Sequence, residues 1–169
     1  MDADEAVADL VRASGDQLVR FAFQLCHDRA TAEDLVQASL ERVYRRWSVR
    51  GPVEWPEAYA RRAVVNEFLG RRRGAVSKEL LMAVPPDRLI PDATDAVLDR
   101  EPLWRALEQL PPRQRAALVL RYYDDVADSQ IAKLLGCREA TVRSLIARGL
   151  KHLRGIFADT NEAQQVNPR

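Results

Sequence analysis

The sequence predicts an all-α fold: two small helical domains joined by a flexible linker, the second ending in a helix-turn-helix. Three observations carry this. Apolar residues recur at three- and four-residue steps through nearly every segment, the period of one helix face. From Gly74 to Asp99 that period is lost, Pro85, Pro86 and Pro91 interrupt the chain and aspartates collect, which reads as a linker. Asp128 to Arg154 then reads as two amphipathic helices either side of Gly136, the residue type that best tolerates a left-handed helix C-terminus. The expected boundaries are 1–74, a linker over 75–98, 99–157, and a disordered tail over 158–169.

In the first domain, Glu5 to Ala13 and Asp16 to Cys26 read as two helices broken at Ser14-Gly15, with Leu18, Phe21, Ala22 and Leu25 as core. Thr31 opens the next helix in a capping box with Asp34. Here Val36, Leu40, Val43 and Trp47 form the buried stripe, and Asp34, Gln37, Glu41 and Arg45 lie about half a turn away. Arg50-Gly51-Pro52 is a turn, and Pro56 suits the first position of the helix PEAYARRAVVNEFLGRRR. Ala60, Val64, Val65, Phe68 and Leu69 face inward, while Tyr59, Arg62, Asn66 and Arg73 line another face. A ring, an amide and guanidinium groups together suit exposed bases and phosphates; a buried Asn66 capping a neighbouring helix is the competing account.

A short helix is expected around Ser77 to Met82 within the linker. Pro102 starts a helix through Leu110 with Leu103, Trp104 and Leu107 inward, and Pro111-Pro112 separates it from Arg113 to Tyr123, where Leu118, Val119 and Tyr122 are candidate core. In the closing pair Asp128 is placed to cap the first helix, which carries Ile131, Leu134 and Leu135 on one side. The second aligns Val142, Leu145, Ile146, Leu150 and Leu153, with Thr141, Ser144, Arg148 and Lys151 opposite and Arg143 and Arg154 at the edge. An apolar back and a basic, hydrogen-bonding front describe a helix that docks on its own domain and enters the major groove.

Composition narrows the class. No segment of the 169 residues approaches a membrane span, and the acidic N-terminus lacks a basic-then-apolar run, so no signal peptide and a cytoplasmic protein are expected. Cys26 and Cys137, His27 and His152 form no ligand set at metal spacing, and neither a cofactor nor a small-molecule substrate is expected. An overall charge of +1 conceals segregation. Met1 to Leu40 holds eight acids against three bases, Glu41 to Arg73 nine arginines against four acids, and Cys137 to Gly155 five bases against one acid. Two basic blocks separated by an acidic stretch suggest two contacts with a polyanion and a different partner for the acidic surface.

The stretches AEDLVQASLERVYRRW, PEAYARRAVVNEFLGRRR, LWRALEQLPPRQRAALVLRYYDD and IAKLLGCREATVRSLIARGLKHLR, in this order and spacing, resemble the extracytoplasmic-function sigma factors of bacterial RNA polymerase, of the actinobacterial SigE-like type. The resemblance covers Ala6 to Arg154 and implies a non-catalytic transcription initiation factor that binds core RNA polymerase and promoter DNA. By the family pattern Asp34, Gln37 and Glu41 meet the polymerase clamp. Tyr59, Arg62, Asn66, Arg71, Arg72 and Arg73 take the melted −10 element. Arg138, Glu139, Thr141, Arg143, Ser144, Arg148 and Lys151 read duplex −35 DNA. Many members are held inactive by an anti-sigma factor, the further partner the resemblance allows.

The chain departs from the pattern at Gly70, Ala127, Arg138, Leu145 and Gly149. These changes predict fraying after Gly70, missing caps at Ala127 and Arg138, and a helix cost of about 1 kcal/mol at Gly149. Three rival readings fit parts of the sequence. A free-standing helix-turn-helix repressor needs a dimerisation element. A nuclease needs converging carboxylates, which are not apparent. A sigma-like protein with weakened DNA reading is the third.

Overall fold

The computed structural model describes residues 2–79 and 101–165; for residues 72–79 and 164 it describes the backbone alone. The described residues form helices and connecting turns, grouped in two compact units.

The first unit packs three long helices pairwise: α1 (Ala3–Cys26), α2 (Arg29–Arg50) and α3 (Pro56–Glu79). The break expected at Ser14-Gly15 is absent, and α1 is one helix. The reason is phase: Ala6, Leu10, Ser14, Leu18 and Ala22 follow one another at four-residue steps and are all buried. Burying that continuous stripe outweighs the cost of about 1 kcal/mol for one interior glycine. Asp2 caps the start, accepting from the Ala3 N–H at 2.7 Å, and His27 closes the end in the left-handed conformation with φ 53°.

The capping box expected between Thr31 and Asp34 is also corrected. The cap of α2 is Asp28, whose Oδ2 accepts from both the Thr31 N–H at 2.9 Å and the Thr31 hydroxyl at 2.5 Å. The Thr31 hydroxyl and then the Thr31 N–H hold the Asp28 carboxyl below its usual range, outweighing the opposing effect of burial, and the neighbouring His27 adds the weakest contribution. Leu40, expected in the core stripe, is only half-buried, whereas Val36, Val43 and Trp47 are buried as expected. In α3, Ala60, Val64, Val65, Phe68 and Leu69 are all buried. The helix does not end at Gly70, whose Cα faces open space, nor at residue 74; it continues to Glu79. Helix therefore occupies residues 75–79 of the expected linker, and the separate helix placed over Ser77 to Met82 lies partly outside the described residues.

The rest of the described chain forms α4 (Glu101–Glu108), α5 (Pro112–Leu118), a π-helical turn (Val119–Tyr123), α6 (Asp128–Leu135) and α7 (Glu139–Gln165). Two expected core residues are exposed instead. Leu103 is 42% exposed, while Trp104 and Leu107 are buried. Tyr122 is 64% exposed because α5 widens at Val119, where the Asp124 N–H reaches the Val119 carbonyl five residues back. Leu118, Val119 and Leu120 are buried, and the wider turn changes the helical phase beyond them, turning Tyr122 outward. Leu103 and Tyr122 line an apolar groove of about 390 Å³ with Trp104, Leu107, Leu150 and Leu153.

Helix α7 continues as far as Gln165, so the expected tail is helical over 158–165. Gly149, read as a helix interruption, is a packing residue. A Cβ there would lie 2.7 Å from Leu118 Cδ1 and 3.1 Å from Leu118 Cγ, so glycine allows α5 and α7 to approach closely. Among the described residues, no helix is long and apolar enough to cross a membrane.

Candidate nucleic-acid interface

The turn between α6 and α7 is set by Gly136, in the left-handed conformation with φ 65°. The Gly136 and Cys137 N–H groups both return to the Ala132 carbonyl, closing α6. Asp128 does not cap α6. The cap position is Ala127, which has no side chain to use, and Asp128 instead accepts from Arg121 at 2.6 Å. That ion pair ties the start of α6 to the π-helical turn.

On α7, Val142 is fully buried, and Leu145, Ile146, Leu150 and Leu153 are half-buried. Arg138, Glu139, Thr141, Arg143, Ser144, Arg148 and Lys151 are all exposed. The sequence-derived reading residues thus all face solvent, Arg138 just before α7 and the others on it, with the helix anchored at Val142 and Gly149. Glu139 and Arg143 approach to 3.9 Å. On the inner side, His152 Nδ1 and Gln114 Oε1 are 2.7 Å apart, a second link between α7 and α5.

In the first unit Asp34, Gln37 and Glu41 are all exposed on α2. With Asp28 as the cap, Asp34 has no capping task, and its carboxylate makes no ion pair among the described residues. Gln37 and Glu41 border a groove of about 540 Å³ that also takes in Val7, Val36, Leu40 and Tyr44. The sequence reading missed the apolar part of this surface. Its signal was Tyr44, four residues after Leu40 and about 80° round the helix from Val36, which carries the apolar surface past the core stripe.

The α3 residues divide into two groups. Arg62 and Asn66 are exposed on one face, which disposes of a buried, capping Asn66. Tyr59 is half-buried, with its ring centroid 6.4 Å from that of Trp47, leaving part of the ring accessible. Arg71 lies about 120° round the helix from Tyr59 and packs toward α2, donating to Glu67 at 3.2 Å and to the Asp34 carbonyl at 3.2 Å. The side chains of Arg72 and Arg73 lie outside the described residues. Arg61 is used within the unit, over the Phe21 ring at 4.8 Å. The sequence reading also missed Trp55, a large aromatic side chain 71% exposed immediately before α3, whose carbonyl accepts from the Tyr59 N–H at 3.1 Å.

Two known families match along the chain: sigma-70 region 2 over residues 10–77 and sigma-70 region 4 over residues 100–153. The RNA polymerase sigma-E factor of Streptomyces avermitilis is 34% identical over 146 residues, 86% of this chain and 82% of the relative. The ECF RNA polymerase sigma factor SigL of Mycobacterium tuberculosis is 34% identical over 161 residues, 90% of this chain and 91% of the relative. Among solved structures, the sigma factor RpoE of Bartonella quintana, crystallised with the anti-sigma factor NepR, shares the fold at a TM-score of 0.66. It is 22% identical, covering 89% of this chain and 96% of that one.

Proposed function

The chain belongs to the extracytoplasmic-function sigma factors of RNA polymerase and is a transcription initiation factor, and from that premise we propose how its surfaces divide the work. The first unit takes core polymerase on α2, through Asp34, Gln37 and Glu41 around the Leu40–Tyr44 groove. The adjoining α3 holds the melted −10 strand, with Arg62, Asn66 and the exposed part of Tyr59 as contacts and Arg71, Arg72 and Arg73 supplying charge. Trp55 adds a stacking platform at the start of that helix. The second unit places α7 in the major groove at −35, through Arg138, Glu139, Thr141, Arg143, Ser144, Arg148 and Lys151. The protein works in the cytoplasm, where polymerase and promoter are, and catalyses no reaction itself. An anti-sigma factor is proposed as its regulator, by analogy with the family.

The observation that carries this division is that Asp34 is exposed and relieved of capping. A free-standing repressor has no use for the α2 strip. The test is Asp34→Arg followed by co-purification with core polymerase. The variant is expected to lose polymerase while melting as the parent does; an unfolded variant, or one that still co-purifies, would remove Asp34 from the interface.

A further inference from the structure

Helix α6 begins without a side-chain cap. Ala127 holds the cap position, where its carbonyl accepts from the Gln130 and Ile131 N–H groups at 2.9 and 3.0 Å. Asp128 follows, at the end of the helix where the dipole favours an acid. A purely local role would leave that carboxylate in water. Instead its side chain is 22% exposed, and Oδ1 accepts from Arg121 Nη1 at 2.6 Å. Arg121 belongs to the π-helical turn. There the Asp124 N–H reaches the Val119 carbonyl at 3.1 Å, and the Val126 N–H reaches the Leu120 carbonyl at 2.9 Å. Val119, Leu120 and Val126 are buried, so Arg121 reaches α6 from a base held by the core.

What α6 positions is the front of α7. The rear half of α7 is fastened to α5 by the close approach at Gly149 and by the His152–Gln114 link. The front, where Val142 is buried, carries Arg138, Glu139, Thr141, Arg143 and Ser144. This is the end of a reading helix that meets base edges. It follows directly from α6, since the Gly136 and Cys137 N–H groups both return to the Ala132 carbonyl. With 8 residues, α6 is about 12 Å long, so a tilt of about 10° about one end moves the other by about 2 Å. A base-edge hydrogen bond spans only about 2.7–3.2 Å and does not survive such a shift.

We infer that Arg121 and Asp128 are positioning residues for duplex recognition. Their ion pair sets the tilt of α6 and, through the Gly136 turn, the angle at which the front of α7 enters the groove. The inference rests on α7 being the duplex-reading helix, and it gives a part in reading to two residues that touch no base. The pair is neutral as a unit, so its part is geometric and not electrostatic.

The test uses the full chain bound to core polymerase and two DNA probes that share a pre-opened downstream segment. Upstream, one carries duplex selected by the parent from a random library, and the other carries mixed-sequence duplex. The readout is the ratio of the two affinities, which measures base reading apart from phosphate attraction. Loss of folded protein lowers both affinities alike and leaves the ratio unchanged, so a merely structural role does not move it. Arg121→Gln and Asp128→Asn are each expected to lower the ratio about 10-fold, within the worth of one base contact, while keeping the parent's salt slope. Asp128→Glu keeps the acid and should keep most of the ratio. An unchanged ratio in Asp128→Asn, or an equal loss in Asp128→Glu, overturns the inference. So does a shallower salt slope in Arg121→Gln, which would make Arg121 a phosphate contact. Tighter binding of both probes by Asp128→Asn, the result of removing a negative charge alone, overturns it too. Arg148→Gln separates the two levels. If it weakens binding of the selected probe and Asp128→Asn leaves the ratio unchanged, only this inference fails; if it changes neither probe, α7 is not the reading helix.

Discussion

Gly149 and Gly155 lie in the same helix, and replacing each with alanine should move stability in opposite directions. In a bare helix either change gains about 1 kcal/mol, because alanine loses less backbone entropy than glycine. At Gly155 nothing lies within 4 Å of the new Cβ, so the full gain should appear. At Gly149 the new Cβ would lie 2.7 Å from Leu118 Cδ1, 3.1 Å from Leu118 Cγ and 3.6 Å from Gln114 Cβ. Leu118 is buried, so its side chain must leave its rotamer or α5 must move away from α7. Overpacking of this kind costs about 1–3 kcal/mol, which exceeds the propensity gain over most of its range. The net expectation is a loss of about 1 kcal/mol for Gly149→Ala against a gain of about 1 kcal/mol for Gly155→Ala. For a unit of this size each kcal/mol shifts the melting midpoint by roughly 4–8 °C, so thermal melting followed by circular dichroism resolves the difference. If Gly149→Ala stabilises as much as Gly155→Ala, the close approach of α5 and α7 is not what the glycine provides.

Two further outcomes follow from the first unit. Asp28→Ala should cost about 1 kcal/mol at neutral pH through loss of the α2 cap. The Asp28 carboxyl is held below its usual range when folded, so its contribution is present above the unfolded pKa and lost as pH falls through the lowered folded value. The gap in stability between parent and variant should therefore close in acid, and a gap independent of pH would refute the cap as its source. Asn66→Ala should impair transcription from duplex promoters far more than from templates already opened around −10. Equal loss on both would make Asn66 a structural residue.

The fold was legible where one helical period controlled burial. Ala60, Val64 and Phe68 on α3 are a case, because no turn residue or irregularity disturbs their phase. It was less legible where tertiary packing overrides a local signal. Ser14-Gly15 is a plausible break in isolation, yet Ser14 continues the buried stripe from Leu10 to Leu18 and the helix runs on. Thr31 and Asp34 fit a capping box equally well in sequence, but Asp28 starts the helix three residues earlier and takes Thr31 as its partner. Tyr122 sits at a core position for an α-helix and is expelled by one wide turn at Val119, which leaves no mark in the periodicity.

The candidate site divides in the same way. The strip from Thr141 to Lys151 and the pair Asp34 and Gln37 are visible because they lie opposite an apolar stripe on a single helix. Residues that act across two helices are not visible in this way. Arg71 reads as one of three consecutive arginines, and only the packing of α3 on α2 joins it to the Asp34 carbonyl. Gly149 reads as a defect until its distance to Leu118 is known.

The central claim is that this chain brings core polymerase to a two-element promoter and helps open it. Run-off transcription with purified core polymerase on a promoter library tests this most directly. The account predicts transcripts that appear only when the chain is added, from templates sharing one upstream and one downstream element, and that disappear with Asp34→Arg. Tight duplex binding by the chain alone, with no transcript above that of core polymerase, would contradict it.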